Sequence, residues 1–211
     1  QEKYFQAAKA ELDQKEAPVG EMKDIVLPVK GNSRAFGIGI RFENFKKVLS
    51  SFDLTQILLE IMLESKLSVM GTWFEEMRDK QILTNPLQIS VNYTRQGDFT
   101  TIFGVSQQAD KAIQEIKREL TKPVAKNSEE YHFLEKNFAL QKEEWLARTV
   151  RTMNDLSSLA IEMIEENLDH ENLDLNLRKL QVMGFDEFNQ LCKQLMKDST
   201  ICSAYLDPDR E

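Results

Sequence analysis

The sequence has few cysteines, no long apolar run and no excess of basic residues, and each absence excludes a class of protein. Two cysteines, Cys192 and Cys202, are too few for a disulfide scaffold of 211 residues, so we expect reduced core thiols in a cytoplasmic protein. With 27 basic and 35 acidic residues the net charge is −8, which argues against a nucleic-acid partner. The apolar-rich stretch from Leu54 to Met70 is interrupted by charged residues, so no membrane span is expected.

The composition indicates one folded domain. The content of 41% hydrophobic and 29% charged residues is typical of globular proteins. We expect a single α+β domain over residues 1–211: a leading helix and connection over 1–20, two hairpins around a helix pair over 22–106, and a helical portion with a closing strand over 107–211. Because the first residue is Gln1 and not methionine, we also expect the sequence to begin within a longer polypeptide.

Alternating apolar residues predict the strands. Met22–Lys30 and Arg34–Phe42 flank a Gly-Asn-Ser turn and predict a first hairpin. A strand after Pro86, a turn at Arg95–Asp98 and a returning strand at Phe99–Ser106 predict a second hairpin. A last strand is expected at the C-terminus, from Thr200 to Leu206.

Helix-spaced apolar residues predict the rest. A first helix is expected over Gln1–Lys15, and three later helices are expected to start at the caps Asp53, Asn127 and Asn154. After Asn154, one apolar stripe is predicted to face inward: Leu156, Leu159, Ala160, Met163 and Ile164. Since each helix has one apolar stripe, the helices must cover one face of a largely antiparallel sheet, giving a two-layer α+β fold.

The residues show no convincing active site, so no catalytic or metal-binding residue is predicted. Gly37-Ile38-Gly39 lacks the third glycine of a phosphate loop and lies in a predicted strand. His132-Phe133-Leu134-Glu135-Lys136 departs from the inverted zinc motif H-x-x-E-H, because Lys136 replaces the second histidine and an ammonium group cannot ligate zinc. His170, the only other histidine, is expected at the surface.

The middle of the sequence resembles a known family. A hydrophobic helix and a glycine precede Trp73-Phe74-Glu75-Glu76-Met77-Arg78-Asp79-Lys80-Gln81-Ile82-Leu83, and a hairpin and a helix follow. This order, with the ending Leu206-Asp207-Pro208, resembles the C-terminal, metal-free half of the zinc metallopeptidases related to pitrilysin, insulin-degrading enzyme and mitochondrial processing peptidase.

The resemblance implies a role without catalysis. Arg78 matches an arginine with which the metal-free half holds substrate, whereas Asn85 stands where the family has a tyrosine and Ile82 where it has a glycine. It implies one wall of a peptide chamber, with peptide as substrate and with zinc supplied by an N-terminal metal-bearing half or a partner subunit. An acidic wall would favour basic or unfolded peptides. The alternatives are a non-enzymatic protein-interaction module and a small-molecule enzyme whose site converges only in space.

Overall fold

The computed structural model describes residues 22–28, 34–42, 51–94, 97–169, 173–197 and 199–207. Its strands are β1 (Ile25–Pro28), β2 (Ala35–Phe42), β3 (Gln88–Thr94), β4 (Gly97–Val105) and β5 (Ser199–Asp207). They form one sheet in the order β1–β5–β2–β4–β3. Only β1 and β5 run parallel, and the other neighbouring pairs are antiparallel. The predicted α+β class and largely antiparallel sheet are therefore confirmed.

The pairing of the first two strands differs from the prediction. β1 and β2 do not form a hairpin, because β5 lies between them, with Ala204 opposite both Ile25 and Gly37. The alternation of apolar residues identified both strands but carried no information on which strand each would pair with. The second hairpin is confirmed, since β3 and β4 are antiparallel neighbours with Thr94 opposite Gly97.

The helices of the described residues pack on one face of this sheet. Phe36, Ile38, Ile40 and Ile102 point from that face into the core. The helix Phe52–Lys66 is mostly buried, and its leucine, isoleucine and methionine residues from Leu54 to Leu63 are at most 4% exposed, as expected for a helix enclosed by other elements. The part of the chain that the structure describes forms seven helices: α1 (Phe52–Lys66), α2 (Thr72–Asp79), α3 (Ala109–Thr121), α4 (Glu129–Met153), α5 (Leu156–Asp169), α6 (Leu173–Val182) and α7 (Phe185–Lys197).

The caps of α1 and α4 are serines next to the predicted residues. Ser51, and not Asp53, caps α1, because its Oγ accepts from a first-turn N–H at 3.2 Å. Ser128, and not Asn127, caps α4 in the same way at 3.0 Å. Asn127 instead has φ of 64°, a left-handed conformation that asparagine tolerates better than most residues. Neighbouring polar residues are all acceptable caps, so packing of the helix decides between them.

The inward stripe predicted for α5 is wrong. Leu156 is 82% exposed and Ile164 is 59% exposed, and Ala160 is exposed as well. The predicted cap also shifts: Asn154 ends α4, and Asp155 accepts from the Ser158 N–H at 3.0 Å at the start of α5. Periodicity shows that a helix has an apolar face, but it cannot show that the same chain covers that face.

The remaining predictions concern the two cysteines, several residues that the structure does not describe, and the absence of a membrane span. Cys192 is buried and Cys202 half-buried, and both are free thiols. The helix predicted over residues 1–15, His170 and Pro208 lie outside the described residues. Among the residues that are described, no helix combines the length and apolar character needed to cross a bilayer.

Candidate functional site

Arg78 lies at the end of α2, a short helix fixed to the core by its other face. Phe74 and Met77 of this helix are buried, at 4% and 0% exposure. Arg78 is exposed, and no salt bridge joins it to a carboxylate of the described residues. An exposed guanidinium group in the last turn can bind a carboxylate or a carbonyl of a partner. Its assignment to substrate binding stays a prediction.

The two departures from the family pattern lie in different environments. Ile82 is buried in the core and is held by a hydrogen bond of 2.8 Å from its N–H to the Met77 carbonyl. Asn85 is exposed in the loop that leads to β3. The isoleucine therefore contributes packing, and a surface position is occupied by an amide instead of a phenol ring.

His132 and Glu135 form a local surface contact. His132 Nδ1 lies 3.5 Å from a Glu135 carboxylate oxygen, and the two side chains are 62% and 51% exposed. Within the described ranges, no three His, Cys, Asp or Glu side chains come together as metal ligands. This contact between two exposed side chains one helical turn apart is an ordinary feature of a solvated helix face.

Gly37 and Gly39 lie within β2, where neighbours pack closely on the backbone. A Cβ at Gly37 would meet the Phe103 ring at 3.1 Å, and one at Gly39 would meet Cys202 Sγ at 3.2 Å. The interpretation that these glycines allow close packing in a strand is confirmed. They offer no helix N-terminus to a phosphate.

Lys66 is the main feature that sequence reasoning missed. It ends α1, and its Nζ donates to the carbonyl oxygens of Glu119 at 3.0 Å, Lys122 at 3.3 Å and Leu120 at 3.4 Å. These carbonyls belong to the C-terminal end of α3, where a helix leaves carbonyl groups unpaired and favours a cation. The three N–H donors of Lys66 are therefore used to cap a neighbouring helix.

Two carboxylates complete a charge cluster, which we define as Lys66, Glu119, Lys122 and Glu130. Lys122 Nζ lies 2.6 Å from Glu130 and 4.0 Å from Glu119, whose side chain is only 6% exposed. Burial raises the pKa of Glu119 and lowers the pKa of Lys66, and the hydrogen bond to Glu130 raises the pKa of Lys122. The cluster joins α1, α3 and α4 through charges that largely neutralise one another.

A cavity of about 310 Å³ borders this cluster, and its walls contain unpaired polar atoms. Ser65 Oγ, Trp73 Nε1 and Glu130 Oε1 are buried there without a hydrogen-bond partner among the described residues. A second cavity, of about 300 Å³, lies between α1, α7 and the connection from α3 to α4. Arg78 is in the wall of neither cavity.

Little in the sequence predicts these cavities. The only local signal is Lys66, a basic residue that follows the apolar stripe of α1. Its partners are more than 50 positions away, on α3. No short motif connects them, so only the packing of α1 on α3 and α4 brings the cluster together.

Sequence comparison finds no relative: no family model matches the chain, and no curated protein matches it either. Comparison of structures does find matches. An M16-like peptidase candidate from Alicyclobacillus acidocaldarius superimposes with a TM-score of 0.63 at 10% identity, over 88% of this chain and 44% of that one. A protease from Helicobacter pylori gives a TM-score of 0.63 at 15% identity, over 93% and 48%.

A third match has about the same length as this chain. The inactive peptidase domain of a zinc protease candidate from Bordetella parapertussis gives a TM-score of 0.61 at 10% identity, over 88% of this chain and 97% of that one. The chain thus spans less than half of the Alicyclobacillus and Helicobacter proteins and nearly all of the Bordetella domain. At these identities the likeness concerns the fold alone. The structure therefore has the fold of a domain of M16, pitrilysin-like zinc proteases.

Proposed function

We propose that the chain is a non-catalytic domain of a zinc-peptidase-like protein and forms one wall of a chamber that binds peptides. It corresponds in this proposal to the C-terminal, metal-free half, and zinc and the catalytic base come from an N-terminal metal-bearing half or a partner subunit. The observation that carries the proposal is an M16-type fold in a sequence without H-x-x-E-H. With only two histidines, 38 positions apart, this sequence cannot supply the motif.

The charge of the chain supports a preference for basic or unfolded peptides. A net charge of −8 produces a negative potential that attracts cations, although salt screens it beyond about 10 Å at moderate ionic strength. A closed chamber would also keep out large folded proteins and hold a bound peptide in position. Arg78 is the residue of this wall that we expect to contact peptide carbonyl or carboxylate oxygens.

Elemental analysis of the purified 211-residue chain and a peptide-hydrolysis assay test whether the chain lacks zinc and catalytic activity. We expect no stoichiometric zinc and no cleavage of a fluorogenic peptide. One zinc per chain that is lost in His132→Ala, or cleavage abolished by a chelator, would overturn the proposal.

The role of Arg78 is tested in the complex with a metal-bearing polypeptide, encoded upstream in the same gene or in a neighbouring one. Arg78→Ala should raise KM severalfold and leave kcat nearly unchanged, because it removes binding that is equal in ground and transition states. Arg178→Ala is the matched control, since Arg178 is also an exposed helix arginine but pairs with Asp174. Equal effects of the two substitutions on KM would show that Arg78 does not bind substrate.

A protein-interaction module is the second candidate, and the exposed apolar residues of α5 favour it. Leu156, Ile161 and Ile164 are each more than half exposed. Exposed apolar patches of this kind mark contacts with other proteins. The genomic context separates the candidates: an H-x-x-E-H segment in the parent gene or its neighbour supports the chamber wall, and its absence from both supports the module.

A further inference from the structure

The cavity between α1, α7 and the α3–α4 connection, which we call the α7 cavity, is enclosed mainly by apolar side chains. Its volume of about 300 Å³ is at the small end of the range of ligand pockets, roughly 300–1,000 Å³. The apolar residues of its wall come from α1, the end of α3, the α3–α4 connection, α4 and α7: Met62, Leu120, Val124, Leu134, Phe185, Phe188 and Met196. The cavity therefore suits a small ligand with an apolar body.

The charged residues around this cavity all have one sign. Its wall contains four lysines and no carboxylate, although the whole chain is acidic. Lys66 Nζ already donates three hydrogen bonds to carbonyl oxygens at the end of α3, and Lys122 is paired with Glu130. Lys193 and Lys197 remain, one helical turn apart on α7, both exposed and neither in a salt bridge with a described carboxylate. A cationic rim thus borders an apolar interior.

Ser65 lies in the wall that the α7 cavity shares with the neighbouring cavity of about 310 Å³, and its hydroxyl has no partner among the described residues. Ser65 is only 4% exposed, and its Oγ is buried without a hydrogen bond to any described residue. A buried hydroxyl that is left unpaired destabilises the protein, so a bound group that accepts its proton would be favoured. Ser65, Lys193 and Lys197 are all donors, and the ligand they fit carries a negatively charged oxygen.

We propose that the α7 cavity binds a small amphipathic anion of the fatty-carboxylate class. The alkyl chain packs among the apolar residues, and each methylene that leaves water adds to the affinity. The carboxylate is bound by the lysines of α7 and the hydroxyl of Ser65. A peptide fits less well, because its backbone carries an N–H and a carbonyl at each residue that this apolar wall cannot pair.

Isothermal titration of the 211-residue chain with decanoate, decanol and decyltrimethylammonium tests the charge preference. We expect one decanoate to bind per chain, weaker binding at higher salt, and at least tenfold weaker binding of the neutral and cationic analogues. Lys193→Ala/Lys197→Ala should weaken decanoate binding roughly three- to tenfold. Lys80→Ala/Lys136→Ala removes the same amount of charge from lysines outside the cavity wall, at the end of α2 and on α4, and should leave decanoate binding unchanged. Equal binding of all three amphiphiles, or no binding of decanoate, overturns the proposal.

The location is tested separately through Cys192, which is part of the cavity wall. In a Cys202→Ser background, decanoate should slow the reaction of Cys192 with a small thiol reagent. Asn189→Trp, a half-buried position in the same wall, should abolish decanoate binding while the circular dichroism spectrum stays that of the parent chain. Binding that leaves Cys192 equally reactive, or that survives Asn189→Trp, would place the ligand elsewhere and overturn the proposal.

Discussion

At the scale of single residues, Gly104 lies where the packing of the sheet leaves no room for a side chain. This residue of β4 lies opposite Phe36 of β2, and the phenylalanine ring occupies the space where a side chain would be. A Cβ at Gly104 would also lie 2.9 Å from Leu87 Cδ2. Phe36 is only 3% exposed, so the ring has little room to move away.

Gly104→Ala should therefore lower the free energy of unfolding by about 1–3 kcal/mol, the usual cost of overpacking a core. Urea denaturation followed by circular dichroism measures the change. Gly184→Ala is the matched control, because a Cβ there meets no atom within 4 Å. We expect the control to stay within about 0.5 kcal/mol of the parent chain. A loss of stability at Gly184 as large as that at Gly104 would contradict the packing argument.

Glu119 gives a second prediction at this scale, on the pH dependence of stability. Burial raises the pKa of its carboxyl group, so the native state holds the proton more tightly than the unfolded state does. The resulting stabilisation is present below the ordinary pKa of 4.5 and is lost as the pH rises through the raised value. Above that value the folded chain must contain a buried carboxylate.

Glu119→Gln removes this ionisation, so the variant should gain stability relative to the parent chain as the pH rises from about 4 to 7. Lys122 keeps its partner Glu130 in the variant. Urea midpoints at several pH values measure the difference, and the exposed Glu143→Gln serves as control. A difference between Glu119→Gln and the parent chain that is constant with pH would contradict the assigned pKa direction.

At the scale of elements, the start of α4 can be used to test whether Ser128 or Asn127 caps the helix. Ser128→Ala removes the side-chain oxygen that accepts from the first turn and should cost about 1 kcal/mol. Asn127→Gly should cost nothing or stabilise slightly, because Asn127 has a positive φ that glycine adopts freely. Urea denaturation of both variants measures these changes in the free energy of unfolding. A larger loss for Asn127→Gly than for Ser128→Ala would restore Asn127 as the cap.

The same contrast shows what the sequence can and cannot predict. The helix expected after the second hairpin is present as α3, because the periodicity that predicts a helix is a local property of the sequence. The insertion of β5 between β1 and β2 was not predicted, since strand neighbours are chosen by contacts between distant segments. Of the candidate sites, Arg78 came from a resemblance. Lys66 and Ser65 gain their surroundings only when α1 meets α3 and α7.

At the scale of the whole molecule, one carboxylate ties the first described strand to the last. Asp24 precedes β1, and its Oδ1 accepts from the Ser203 N–H at 2.6 Å, the Ser203 hydroxyl at 2.7 Å and Lys117 Nζ at 3.1 Å. These contacts join β1, β5 and α3 at the one parallel pair of the sheet. The hydrogen bonds from Ser203, and then Lys117, hold the pKa of Asp24 below its ordinary value.

A lowered carboxyl pKa stabilises the native state above the ordinary value of 3.8, and the effect disappears as the pH falls through the lowered value. Asp24→Asn should therefore reduce the hydrogen-exchange protection of β1 amides at neutral pH and leave that of β4 unchanged. The difference between variant and parent chain should shrink as the pH falls below 3.8. Asp79→Asn, an exposed carboxylate on α2, should change neither strand. If Asp24→Asn and the parent chain protect β1 equally at neutral pH, then the parallel pairing of β1 with β5 holds this edge without the carboxylate.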